Sequence, residues 1–231
     1  MPNARHSGLD SVSLTGAKDP YPGNRVLAVF SKNPVEGKVK TRLAGTIGNI
    51  RALEIYEALR RLTDAATSPV KARRVIWYSD FIPQTDTLLS PGTEARLQQG
   101  KDLGERMHNA FCEMFSSGSL LVVLIGTDCP DISAAIIEKA FALLESSDAV
   151  LGPAMDGGFY LIGLKQRIPE LFLGRTWSTS TVLEETLDKL ETKGFSFSLL
   201  PELRDIDTFE DLRQSPLRIE MPPLSGPRKA P

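Results

Sequence analysis

The sequence predicts an α/β layer fold built on a mainly parallel sheet. Short apolar runs, of which Val26 to Phe30 and Leu120 to Ile125 are the clearest, alternate with segments whose apolar residues recur every three or four positions. The alternation continues from residue 25 to residue 214 without a linker-like break, so one domain is expected over 25–214. At 231 residues and 41% apolar, the chain is long enough to bury one sizeable core.

The elements follow in order. Val26 to Phe30 reads as a buried strand. Ile50 to Ala66 places Leu53, Tyr56, Leu59 and Leu62 at steps of three, one face of a helix. Val75 to Tyr78 is a short strand. Asp102 to Phe115 carries Leu103, Met107, Ala110, Phe111 and Met114 at helical spacing, and Leu120 to Ile125, apolar on both faces, suits a central strand. Ser133 is expected to cap a helix running through Leu144, its hydroxyl accepting from a free first-turn N–H, while Glu138 lies too far along to close a capping box. Asp148 to Leu151 and Gly158 to Gly163 read as strands, Ser178 to Leu190 as a helix with Ser178 at its N-cap, and Phe195 to Leu199 as a late strand. Residues 1–24 and the Pro-rich stretch 215–231 lack periodicity and are expected to be mobile tails.

Charge and cysteine usage exclude several function classes. Net charge is −2 with a pI near 5.8, and no long basic block supports a nucleic-acid partner. Cys112 and Cys129 have neither metal-type spacing nor a disulfide framework and read as buried thiols in a reducing compartment. No apolar run approaches the roughly 18 residues of a membrane span, and the N-terminal stretch lacks the apolar centre of a signal peptide. A soluble cytoplasmic protein is expected.

In parallel sheets ligands collect beyond the carboxyl ends of strands, so the loops there are where chemistry is sought. After the first strand, Lys32, Lys38, Lys40 and Arg42 stand among glycines, an anion cradle if the chain stays extended, because Lys38, Lys40 and Arg42 alternate and would project together. The segment matches neither the P-loop nor the dinucleotide fingerprint. Lys32 is read as a surface charge. After the central strand, GTDCPD puts Asp128 where a carboxylate can meet a hard divalent cation, with Asp131 read as a cap for the next helix. Cys129 has no histidine near it in sequence to act as the base of a thiol nucleophile. In AMDGGFYLIGL, Asp156 is a catalytic base, a hydroxyl-binding carboxylate or a turn residue, and Gly157 and Gly158 mark a tight turn or a place where another molecule touches the backbone. In LRDIDTFEDLR, Asp205 and Asp207 share one side of an extended segment, and either is a candidate second metal ligand.

FSKNPVEGKVKTRL, LQQGKDLGERM, GTDCPD, DGGFYLIGL, WSTSTVL and DIDTFEDL occur in the order and at about the spacing of a bacterial family, the radical-SAM/selenodomain-associated transferase 1 family, described as arsenosugar-biosynthesis glycosyltransferases. The resemblance covers residues 24–214. It implies a GT-A-type, three-layer α/β/α fold like that of nucleotide-diphospho-sugar transferases. It also implies that Ser31, Lys38, Lys40 and Arg42 meet the nucleotide phosphates. Gln99, Gly100, Asp102, Gly104 and Arg106 would fall near the base. Asp128 and Asp207 would hold a divalent cation, Mg2+ or Mn2+. The first loop departs from the family's usual pattern at Asn33 and Glu36, and GTDCPD lacks the D-x-D pair of many glycosyltransferases.

The resulting expectation is a glycosyltransferase that moves a sugar from a nucleotide-diphosphate donor to a small-molecule acceptor. Asp156 and Asp128 are its catalytic carboxylates, Trp177 covers the acceptor by stacking, and a functional link to a radical-SAM enzyme is implied by the resemblance. Two alternatives stand beside it: a guanylyltransferase-like nucleotidyltransferase acting on a phosphorylated small molecule, and a non-catalytic nucleotide-binding protein.

Overall fold

The computed structural model describes residues 24–217. Seven strands, β1 (Arg25–Ser31), β2 (Arg73–Tyr78), β3 (Glu94–Leu97), β4 (Leu121–Ile125), β5 (Ala149–Pro153), β6 (Phe159–Leu164) and β7 (Phe197–Leu199), form one sheet in the order β3-β2-β1-β4-β6-β5-β7. β6 runs antiparallel to both of its neighbours, and the other pairings are parallel. Six α-helices accompany them among the described residues: α1 (Thr41–Ile47), α2 (Asn49–Thr67), α3 (Leu103–Ser116), α4 (Ala134–Leu144), α5 (Val182–Thr192) and α6 (Phe209–Arg213).

The period of two in each strand sorts the core into two layers. Leu27 and Val29 of β1 join Val123 and Ile125 of β4 beneath α4 and the end of α2, while Val26, Ala28, Val122 and Leu124 face the other way onto α3 and α5. A third cluster packs α1 and α6 onto α2 through Leu43, Leu59, Ile206 and Leu212. This is the expected mixed, mainly parallel three-layer arrangement, and it is one unit.

Several element boundaries differ from expectation for local reasons. β3 was not expected, because Glu94 and Arg96 break the apolar pattern. At the sheet edge these charges are half-buried and pair with Arg73, Glu113 and each other. α1 was not expected either, since Gly45 interrupts a segment of only seven residues. The helix expected from Ser178 begins at Val182, and Ser178 itself is no cap: it adopts φ 64 in the preceding loop. Ser133 caps α4 as expected, accepting from the Ile136 N–H, and Asp131 takes no part. Residues 1–23 and 218–231 lie outside the described residues, whereas Ser215 and Leu217, expected in the C-terminal tail, are buried.

Candidate functional site

A cavity of about 860 Å³ opens over the carboxyl ends of β1 and β4. Its floor is set by two buried connections. β1 ends at Ser31, and the side chain of Asn33 ties the next loop to the one after β2, donating to the Phe81 carbonyl at 2.9 Å and accepting from the Asp80 N–H at 3.0 Å. On the other side, the Asp128 carbonyl accepts the Ile206 N–H at 2.9 Å, which lays residues 205–207 along the end of β4. Thr208 and Asp211 then form a reciprocal capping box on α6, fixing Asp207 from its other side.

The cation loop does not stay extended. Residues 35–38 form a turn, Lys38 donating its backbone N–H to the Val35 carbonyl at 3.0 Å, and α1 starts at Thr41. Between them Lys40 adopts the left-handed conformation, φ 48 and ψ 44, which costs a non-glycine residue roughly 1–2 kcal/mol. That conformation turns its side chain inward. Only 3% exposed, the ammonium lies 2.5 Å from Asp128 Oδ1 and 3.1 Å from Asp207 Oδ1. Burial pulls the Lys40 pKa down, but the charges and hydrogen bonds of the two carboxylates outweigh it and hold the group above its ordinary value. Arg42 stays exposed with Nη1 3.8 Å from Asp207 Oδ2. The expectation of three cations projecting together is therefore corrected. Lys40 is at the floor, Arg42 at the rim, and Lys38 and Glu36 are exposed in the turn, outside the cavity lining, which Lys32 joins instead.

The wall toward α3 differs by one residue from the expected positions. Gln98 lines the cavity, whereas Gln99 and Gly100 do not. Gln98 Nε2 donates to the Trp77 carbonyl at 2.9 Å, and its Oε1 accepts from Arg106, which also donates to the Gly100 carbonyl at 3.2 Å. Asp102 caps α3 by accepting the Glu105 N–H at 2.8 Å. Gly104 lies under Trp177, where a Cβ would collide with the indole. Trp177 Nε1 donates to the Phe172 carbonyl at 3.2 Å, and its ring meets Phe159 edge-on at 6.3 Å and lies 4.9 Å from the Arg175 guanidinium.

The opposite wall is the β5–β6 turn. Asp156 is exposed and lines the cavity, and its Oδ1 accepts the Gly158 N–H at 2.8 Å. Gly157 faces away: it has φ 87, its carbonyl accepts the Leu183 N–H at 2.9 Å, and a Cβ would strike the Ser180 carbonyl. Gly157 therefore lets the loop 177–181 dock, and Gly158 is the glycine that reaches the cavity. Asp205 lies beneath this turn. Burial first, and then the charge of Asp156, push its carboxyl up to about 7. Cys129 is buried and burial raises its thiol to about 12, which removes it as a nucleophile at neutral pH.

One participant was read from the sequence only as a core residue. Tyr56 of α2 lines the cavity and its hydroxyl contacts Lys32 and Thr127, at the ends of β1 and β4. Its phenol is the sequence signal, because a buried tyrosine needs a polar partner for its oxygen.

Among the described residues no three ligating side chains converge on one point. Asp128 and Asp207 fit a hard divalent cation held by one or two carboxylates and completed by substrate phosphates and water, and they do not make a protein-only cage. No described helix is long and apolar enough to cross a membrane.

The family profile described as an uncharacterized protein conserved in bacteria (DUF2064) matches residues 59–179. No curated protein matches the sequence. Among solved structures, a protein from Desulfovibrio desulfuricans G20, provisionally named a nucleotide-diphospho-sugar transferase, is 34% identical with a TM-score of 0.77, the match covering 83% of this chain and 85% of that one. The 4-diphosphocytidyl-2C-methyl-D-erythritol synthase of Anaerococcus prevotii DSM 20548 is similar in fold at 12% identity and a TM-score of 0.54, over 86% of this chain and 97% of that one. Rv0371c of Mycobacterium tuberculosis H37Rv, solved in complex with manganese, is similar at 10% identity and a TM-score of 0.50, over 83% of this chain and 97% of that one.

Proposed function

This chain belongs to the DUF2064 family and has a nucleotide-diphospho-sugar transferase-like fold, and from that premise we propose that it is a glycosyltransferase acting on a nucleotide-diphosphate sugar and a small hydroxyl acceptor. The observation that carries the reading is the buried Lys40 ammonium, held between Asp128 and Asp207 at the floor of a cavity that also presents Asp156. Lys40, with Lys32 and Arg42 at the rim, is placed to stabilise a departing diphosphate. Asp156 offers its free oxygen to the acceptor hydroxyl and takes its proton as the bond from the sugar's anomeric carbon to the acceptor forms and the bond to the diphosphate breaks. A Mg2+ or Mn2+ ion, as in the manganese complex of the similar fold, would be held by Asp128 and Asp207 and would add charge stabilisation to the leaving phosphates. Gln98, Asp102 and Arg106 on one wall support a base bound there, and Trp177, which lines the same cavity against Phe159, supports an acceptor that stacks on it. The resemblance to radical-SAM-associated transferases adds to this proposal an acceptor that a radical enzyme supplies, in a cytoplasmic setting.

The test is equilibrium binding and donor turnover with a panel of nucleotide sugars, with Mg2+ or Mn2+ present. Binding of at least one donor, lost in Lys40→Ala, is expected. The absence of both binding and turnover across the panel sinks the reading.

A nucleotidyltransferase is the second reading. Five cations, Lys32, Lys40, Arg42, Lys101 and Arg106, line one cavity, and a triphosphate has more charge to neutralise than a diphosphate. Pyrophosphate release from a nucleoside triphosphate decides for it. A non-catalytic binding protein, the third, would lose affinity but no turnover in Asp128→Ala.

A further inference from the structure

Two carboxylates at the cavity floor already have a cation between them. Lys40 Nζ lies 2.5 Å from Asp128 Oδ1 and 3.1 Å from Asp207 Oδ1, and Arg42 Nη1 lies 3.8 Å from Asp207 Oδ2. Of the four carboxylate oxygens, three face a cation of the chain itself, and only Asp128 Oδ2 does not. Among the described residues no third ligating side chain converges with this pair. A divalent cation on Asp128 and Asp207 needs the oxygens that Lys40 holds, and beside Lys40 it meets a buried ammonium that repels it.

The two sides of this contact are held differently. The Asp128 carbonyl accepts the Ile206 N–H at 2.9 Å, and the Asp207 N–H donates to Asp211 beside the capping box of α6, so both carboxylates are fixed through their own backbones. Lys40 is not. It directly precedes α1, a helix start with no side-chain cap, and it holds φ 48 and ψ 44, a region that lysine does not prefer. The carboxylates keep it there. A change in this one residue moves the ammonium and leaves the acids in place.

We propose that Lys40 is a built-in counter-ion that closes the metal position until a nucleotide arrives. The diphosphate, more highly charged than either carboxylate and met by Lys32 and Arg42 at the rim, draws the ammonium onto itself, and the divalent cation enters with the phosphates. The form of donor taken is thus the metal–nucleotide complex, and the free ion is turned away. This rests on the glycosyltransferase reading, in which Lys40 meets the diphosphate while Asp128 and Asp207 hold the cation. Those two roles are compatible only if Lys40 leaves the pair.

The first experiment uses Mn2+ alone, without nucleotide, and reads the free ion by electron paramagnetic resonance. Lys40→Met binds Mn2+ at least about tenfold more tightly than the wild type, and the gain disappears when Asp128→Asn is added. Mn2+ alone also raises the thermal midpoint of Lys40→Met and leaves that of the wild type in place. Equal Mn2+ affinity in the wild type and a folded Lys40→Met overturns the proposal, and so does a gain that survives Asp128→Asn. Should Lys40→Met not fold, Lys40→Gln is read in the same way.

The second experiment needs no variant. Uridine and guanosine diphosphates are titrated into the wild type by calorimetry with and without Mn2+, and at least one binds at least about tenfold more tightly with the ion, although the ion alone binds weakly. Equal affinity in both conditions overturns the proposal and leaves the glycosyltransferase reading standing. If neither these diphosphates nor any nucleotide sugar binds in either condition, that reading falls and the proposal falls with it.

Discussion

The phenolic oxygen of Tyr56 lies 3.2 Å from Thr127 Oγ1, so a residue in the middle of α2 holds the position just before Asp128. A tyrosine hydroxyl has one proton to donate and two lone pairs to accept with. It donates to the Lys32 carbonyl at 3.1 Å and accepts from the Lys32 N–H at 2.9 Å, which leaves one acceptor site for Thr127. The Ser31 hydroxyl lies 3.4 Å from the same phenolic oxygen and is also held by Arg60, accepting from its Nε at 3.2 Å. Tyr56→Phe keeps the ring and strands these partners, so stability falls by about 1–3 kcal/mol in urea unfolding. Donor turnover falls further than the unfolded fraction accounts for, because the ends of β1 and β4 are no longer fixed to each other. Turnover unchanged per folded molecule contradicts this.

The lysine before the turn and the lysine within it give opposite expectations. Lys32→Ala and Arg42→Ala each weaken donor binding, by about 3- to 10-fold for exposed charges facing a phosphate. Lys38→Ala, at an exposed residue outside the cavity lining, leaves donor affinity unchanged by calorimetry.

Stability carries a pH signature from Asp205. Its carboxyl is pushed up from 3.8 to about 7 by burial, then by Asp156, and more weakly by Asp128 and Asp207. The folded chain thus holds this proton more tightly than the unfolded chain. The group's contribution is most favourable below pH 3.8 and is lost as pH rises through about 7. Asp205→Asn removes the dependence. Its unfolding free energy in urea matches the wild type near about pH 4 and exceeds it near about pH 8, by on the order of 2 kcal/mol.

Gly157→Ala tests the docking of the loop 177–181. The substitution forces an L residue to φ 87 and drives a methyl group into the Ser180 carbonyl. A loss of about 1–3 kcal/mol is expected, with transfer to acceptor falling more than donor binding. Equal losses in both would mean that the loop serves the donor side as well.

The layers of this fold were legible in the sequence because runs such as Leu121 to Ile125 and the helical spacing of Met107, Phe111 and Met114 report burial directly. β3 was hidden, since an edge strand can pair its charges in solvent and need not be apolar. The site was legible in its acids: Asp128, Asp156 and Asp207 all reach one cavity. Its cations were misjudged, because alternation in the sequence says nothing of a left-handed residue, and the φ of Lys40 decides which side chain turns inward. Gln98 was missed for a similar reason. In a connection outside regular structure, neighbouring residues point in unrelated directions, and only the hydrogen bonds of Arg106 and Trp77 select one.

Because β6 reverses direction beside β4, the short turn 154–158 arrives at the same rim as the long crossovers of the parallel strands. Those crossovers are woven through helices and the buried core, so altering one disturbs the whole layer. The hairpin tip is tethered only by its own strands, the bridge from Ala154 to Leu203 and the docked loop beside it. A change at Met155, an exposed residue of this tip, is therefore absorbed locally, while Asp156 and Gly157 beside it are fixed by the cavity and by the docked loop.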